Sequence, residues 1–327
     1  MAYKRFQNTF TESKFFLPLA IAVTGGVVGL YGLVGEGWWM QLICLAISTL
    51  LLLILNSSNQ LLRVVSQATP AMFLLLVAAA VFIFPDLLAE IMTLCFIALL
   101  FMLFHCHQRD VSPGWVFYGF FCLGLASMVF VKAIYYVPLL WVLMATCLRA
   151  MTAKTFWASI LGLITPYWLA GPFIIYFKGT DIVAAHFSQL VLFQRLGDYS
   201  MLGEHEWLAV GWTALLAIIG IVHYANQGYQ DKLRTRLLHE MVIIIDIATF
   251  IFLALQPQHY TMLLGVAIAN TSLLIAHYLT LTHTFLTNIS FFIILAVTLA
   301  IIAYNTWMPS SNFLSAMAMQ ACSYLPL

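Results

Sequence analysis

The chain has 327 residues, of which 63% are hydrophobic and only 8% charged, against about 25% charged in an ordinary soluble domain. Thirteen basic and twelve acidic side chains cannot cover the surface of a water-soluble fold of this length, so lipid has to supply the missing solvent. A net charge of +1 removes the electrostatic case for nucleic acid.

Apolar runs recur along nearly the whole chain, and at a helical rise of 1.5 Å per residue each is roughly membrane-thick. They are continuous rather than alternating, which excludes a lipid-facing β-barrel. The expected fold is all-α: one polytopic membrane domain over residues 1–327, a transmembrane helix bundle of about eleven spans (range nine to eleven) with a cytoplasmic N-terminus.

The first span, near Phe15–Val34, follows Lys4, Arg5 and Lys14 and lacks a small-residue cleavage site, so a retained helix is expected. Its glycines, Gly25, Gly26, Gly29, Gly32 and Gly35, include a GxxxG step that predicts close helix packing. Glu36 stands just beyond it. Trp38–Leu55 follows, then four shorter runs near Pro70–Phe84, Leu87–Phe104, Trp115–Val131 and Ala133–Leu148. Lys132 falls at the tip of the last hairpin, where it is expected to snorkel toward water. The seventh span, near Phe156–Phe177, carries Pro166 and Pro172 as expected kink points.

Residues 178–206 form the longest expected extracytoplasmic loop. Ile182, Val183, Phe187, Leu190, Val191 and Phe193 give it an apolar side, and His186, Gln189, Gln194 and Arg195 a polar one, as in an interfacial helix. Asp198 lies in the sharp turn that follows. Beyond the span near Trp207–His223 comes a basic cytoplasmic loop, 224–240, with Lys232, Arg234 and Arg236. The ninth span, near Met241–Leu255, contains Asp246, expected about 9 Å from its start. The tenth, near Tyr260–Leu281, has a polar step at Asn270, Thr271 and Ser272, and Phe285–Tyr304 is the last. With alternating spans, ten basic residues fall on the N-terminal side and three (Lys132, Lys178 and Arg195) on the other, the asymmetry of the positive-inside rule.

The middle of the chain carries a recognisable order of features. Asn56-Ser-Ser-Asn-Gln-Leu-Leu-Arg63 leads to the Phe84-Pro-Asp turn, the basic Arg109 loop, Gly124-Leu-Ala-Ser127, Tyr136-Val-Pro138, Arg149 and Trp157. Leu161-Gly-Leu-Ile-Thr-Pro166-Tyr-Trp-Leu closes it. This order resembles a family of multi-pass membrane proteins of Gram-negative bacteria that is defined by a domain of unknown function. The likeness covers roughly residues 15–180, with hydropathy alone beyond. It implies a bundle in the bacterial inner (cytoplasmic) membrane and brings no catalytic residues to carry over. Some relatives are called β-carotene monooxygenase, a name that implies iron held by histidines.

His105, His107, His223, His239, His277 and His283 all fall near the basic face, but their spacing does not favour a shared metal. His105 and His107 are about 200° apart on a helix, and His277 and His283 are six residues apart on poorly aligned faces. No metal and no cofactor are expected. Six scattered cysteines with no CxxC pair read as small buried hydrophobes.

Three functions stay open. The first is an extracytoplasmic-face enzyme on a lipid or a polyprenyl-linked glycan. There Glu36, His186 and Asp198 would supply acid and base and Arg195 a cation for diphosphate. The second is a transporter or flippase that uses Asp246 with the Asn270 step, because ionisable groups inside spans mark function by default. The third is a non-catalytic assembly factor. The histidine–iron oxygenase ranks behind all three. Membrane lipid is the expected partner, with a polyprenyl-linked substrate under the first reading, and protein partners stay open.

Overall fold

A computed structural model describes residues 6–31, 37–64, 66–106, 113–193, 199, 202–282 and 284–307. Among them the chain forms thirteen α-helices and four short 3₁₀ turns, with no strand. In chain order these are α1 (Phe6–Thr11), α2 (Phe16–Tyr31), α3 (Trp39–Asn59), α4 (Ala68–Ala79), α5 (Leu87–Phe104), α6 (Pro113–Val129) and α7 (Tyr136–Thr146). They continue with α8 (Ala153–Lys178), α9 (Thr180–Ser188), α10 (Glu204–Gln227), α11 (Leu233–Leu255), α12 (Tyr260–Leu281) and α13 (Phe285–Trp307).

Seven helices, α3, α5, α8, α10, α11, α12 and α13, are long and apolar enough to cross a membrane. The architecture is that of a helical integral membrane protein. Each of the eleven expected apolar runs has a helix, but the short ones are α2, α4, α6 and α7. The run at α5 is full-length, and the first run is the shorter one.

Local signals explain where the helices begin and end. Pro85 interrupts the preceding turn, and Asp86 then caps α5 by accepting from the Leu88 and Ala89 amides at 3.0 and 3.4 Å. Thr152 and Thr155 form a reciprocal capping box at the start of α8. At the end of α3, Gln60 turns left-handed (φ 49°) and its amide returns to the Asn56 carbonyl.

Packing centres on α12, which is buried on all sides along almost its whole length. It lies against α4, α5, α10 and α11. Helix α8 is peripheral and mostly exposed, as a lipid-facing helix must be, and it is held chiefly by α6. A Cβ on Gly162 would lie 2.4 Å from the Phe117 carbonyl, and one on Gly124 would lie 2.7 Å from that of Leu163. Those two glycines set the close approach of α6 and α8.

The first-span glycines behave differently from expectation. A Cβ on Gly25, Gly26 or Gly29 would meet nothing within 4 Å. Gly25 borders an apolar cavity of ≈ 320 Å³ between α2 and α3, so no neighbour uses the GxxxG step. Gly32 and Gly35 lie outside the described residues.

Polar contacts gather connecting segments at each end of the bundle, as alternating crossings require. At the basic end, Ser66 donates to the Thr11 carbonyl (2.6 Å) and Arg234 to the Asn59 amide oxygen (2.9 Å). The short helix α1 closes this end. Its buried Gln7 donates to the Leu279 carbonyl at 2.7 Å, and Asn8 donates to that of Thr280 at 3.3 Å. Both carbonyls belong to the last turn of α12, where helical partners run out. At the opposite end, His205 bonds Asn305 (2.7 Å) and Asn305 donates to the Ala79 carbonyl (2.6 Å).

Two further expectations change. Helices α10 and α11 extend into the basic loop and leave only residues 228–232 between them, a 3₁₀ turn and two residues. Lys132 is 4% exposed rather than snorkelled, because the ordered stretch after α9 covers it and accepts from it through the Leu192 carbonyl at 2.9 Å.

Candidate functional site

The residues singled out in the sequence divide between two ends of the bundle and its centre. Glu36, Arg195 and Asp198, expected at the end opposite the basic one, lie outside the described residues. His186, on α9, reaches the Tyr167 hydroxyl at 3.5 Å and lines a mostly apolar pocket of ≈ 340 Å³. Other polar residues of this end disperse: His205 binds Asn305, and His259 pairs with Lys132 at 2.9 Å. A separate group does gather. Glu206, 4% exposed, lies near enough to Tyr260, Asp86 and Tyr31 for their charges and dipoles to act on one another, and its Oε2 has no hydrogen-bond partner.

The centre is built on α11 and α12. Because α11 begins at Leu233, Asp246 sits thirteen residues in, the middle of the helix, and deeper than expected at about 20 Å from its start. Its side chain is wholly buried. Thr271 of α12 donates to Oδ2 at 3.4 Å, while Oδ1 has no partner. One turn on, Thr249 shares a hydrogen bond of 2.8 Å with the Tyr136 hydroxyl of α7. Tyr136 in turn lines an apolar cavity of ≈ 400 Å³ with Tyr135, Phe193 and Phe252. Asn270 is also fully buried, and neither its amide nitrogen nor its oxygen has a partner.

The basic end holds what the sequence concealed. His223 of α10, His239 of α11 and His277 of α12 converge, with ring centroids 5.4 Å apart for His223–His277 and 5.1 Å for His239–His277. Tyr224 stacks on His239 at 4.8 Å. Asp231, from the short stretch between α10 and α11, accepts from His277 Nε2 at 2.9 Å through one oxygen and from Arg63 Nε through the other. Burial alone would raise the Asp231 carboxyl, but the hydrogen bonds and charges of His277 and Arg63 outweigh it and hold it below 3.8. Arg63 also donates to Gln230 at 2.9 Å.

Arg63, Asp231, Gln230 and Thr235 line a cleft of ≈ 770 Å³ with Asn56 and Gln67. The end-facing histidines were visible in the sequence, but no spacing within one helix linked them. They come from three helices, and their acid comes from a turn. Their nitrogens do not point at one centre: His277 Nε2 is held by Asp231 and His239 Nδ1 by the Thr235 carbonyl at 3.0 Å. His105 is tied to the Phe101 carbonyl at 2.8 Å and stacked on Trp115. Among the described residues no three His, Cys, Asp or Glu side chains are placed to hold a metal ion. The histidine–iron chemistry implied by the family name finds no such centre there.

Centre and end share a register. His239 and Asp246 are seven residues apart on α11, and Asn270 and His277 are seven apart on α12. Each pair therefore lies on one face of its helix. The two helices pack together, with buried Val242, Leu273 and Leu274 between the two polar levels. Neither protein-family models, nor curated proteins, nor solved structures match this chain.

Proposed function

We propose that the protein is a carrier of the bacterial inner membrane, with its basic end in the cytoplasm and Asp246 as the intramembrane site of a coupling cation. The observation that carries this reading is the state of Asp246: wholly buried at mid-helix, with one carboxylate oxygen unpaired. A carboxylate there is costly and marks an ion path by default. A cleft opens at the basic end, and the apolar cavity at Tyr136 lies in the opposite half. The bias of Lys14, Arg63, Arg149, Lys154, Lys232, Arg234 and Arg236 to one end supports the orientation.

The test is solute accumulation by the purified chain in proteoliposomes under an imposed ion gradient, screened over organic anions, sugars and lipids. Asp246→Asn should abolish gradient-driven accumulation while leaving insertion and Tm unchanged. Accumulation at the wild-type rate in that variant overturns the reading.

A second reading, an extracytoplasmic-face enzyme on a lipid-linked substrate, is favoured by the buried Glu206–Tyr260 group and by His186 at the exposed helix α9. It predicts that a polyprenyl-phosphate lipid co-purifies and is retained by wild type but lost from His186→Ala. Mass spectrometry of the extracted lipid reads this directly, and recovery of bulk phospholipid alone removes it.

A further inference from the structure

The glycine face of α2 touches no other helix. A Cβ on Gly25 would meet nothing within 4 Å, yet Gly25 belongs to the wall of the ≈ 320 Å³ cavity between α2 and α3. This groove follows α2 from Leu17 to Val28, a length of about 16 Å by helical rise. That is roughly half the hydrocarbon thickness of a bilayer, the depth of one leaflet. Ile21 and Leu50 in its walls are exposed, so the groove opens toward lipid. Its two hydroxyls are already satisfied: Thr24 donates to the Leu74 carbonyl at 3.0 Å, and Thr49 to that of Leu45 at 2.8 Å. The groove therefore offers a ligand apolar contact alone.

Groove and basic-end cleft meet at Leu53, which lines both. One face of α3 makes the join. Leu42, Leu45, Thr49 and Leu53 line the groove, and Ser57 and Gln60 continue the same face into the cleft, at a spacing of three or four residues throughout. Along that face the wall turns from apolar to polar, as an amphiphile does.

The charge of the cleft is positive. It is lined by two cations, Arg63 and Lys232, and one acid, Asp231, whose carboxylate is held by Arg63 and His277. Lys232 is exposed and has no carboxylate partner among the described residues. It stands at the start of α11, where no side chain caps the first turn and a helix end favours an anion. Thr235, 6% exposed, lines the same cleft, and its hydroxyl makes no hydrogen bond among the described residues.

We propose that groove and cleft together bind one anionic phospholipid from the leaflet at the basic end. An acyl chain lies along α2 and α3, and the phosphate sits at Lys232, Thr235 and the first turn of α11. Positive charge at a lipid-facing cleft selects an anionic headgroup. A zwitterionic lipid brings no net charge to the unpaired Lys232, and a free phosphate ester leaves the groove empty. The site shares no residue with the surroundings of Asp246 and does not depend on the carrier reading.

Lipid retention tests the site without a transport assay. The full chain, delipidated in mild detergent, is given equal amounts of phosphatidylglycerol and phosphatidylcholine and read by native mass spectrometry. Wild type should retain one phosphatidylglycerol in preference to phosphatidylcholine. Lys232→Gln should lower that preference about fivefold, the worth of one basic residue at an anionic headgroup. Gly25→Phe, which fills the groove, should lose the bound lipid while keeping its Tm, with Gly25→Leu as the smaller change if the Phe variant does not fold. Glycerol 3-phosphate, which has the phosphate but no chain, should leave the lipid in place. Equal retention of the two lipids by wild type overturns the proposal, as does wild-type behaviour of either folded variant. Displacement by glycerol 3-phosphate assigns the cleft to a soluble phosphate ester, and a dimer that Gly25→Phe breaks assigns the groove to a second copy of the chain; either result overturns the lipid site.

Discussion

Asp231 lies in the short connection between α10 and α11, and its carboxylate satisfies Arg63 and His277 together. Its depressed pKa means that the interaction is fully present above the ordinary value of 3.8 and is lost as pH falls through the lower folded value. Asp231→Asn should therefore lower Tm at neutral pH, with the deficit shrinking only below about pH 4. A deficit that fades on the alkaline side instead would contradict the ion pair. Gln7 and Asn8 make a similar point by hydrogen bonding alone. Each satisfies carbonyls at the end of α12, and Gln7→Ala should cost about 1–3 kcal/mol by leaving a buried acceptor unpaired, read as reduced amide-exchange protection around 279–282. At this scale the sequence exposed Asp246 and Asn270 because a polar residue inside an apolar run stands out. It hid Asp231, Gln7 and Asn8, because polar residues between runs look like ordinary solvated loop or tail.

Among the helices, glycines that look alike do different things. Gly162 and Gly124 sit where α6 and α8 touch, and any side chain there meets backbone. Gly162→Leu should cost about 1–3 kcal/mol through overpacking, whereas Gly26→Leu, facing open space, should leave Tm nearly unchanged. Thermal unfolding in detergent distinguishes the two, and equal losses would mean that α2 has a partner on that face. The GxxxG pattern predicted contact in the wrong helix because a small-residue stripe records only the capacity to approach. The partner is chosen by how the other helices fill the bundle. The convergence of His223, His239 and His277 has the same origin. Each lies on the inward face of its own helix, and no interval in the chain encodes the angle at which three helices meet.

For the whole molecule, alternation of the helices puts Ser57 and Ser188, both exposed, at opposite ends. A membrane-impermeant thiol reagent should label Ser57→Cys only in inside-out vesicles and Ser188→Cys only in right-side-out ones. The described native cysteines are buried, apart from a half-buried Cys122, and so give little background. Labelling of both positions from one side would break the alternating arrangement.

The helical class, the apolar runs and the end-to-end charge bias were determined by composition and by the order of residues along the chain. Each depends on a free energy that a single segment pays or gains alone in lipid. Histidine cluster, cleft and close helix pair were decided by tertiary structure alone. They depend on which faces meet, and burial of a face in a lipid-soluble bundle is not written in its polarity. Asp246 shows the boundary between the two: its presence inside a span was legible, but the histidine cluster at the basic end of the same bundle became visible only once α10, α11 and α12 were packed together.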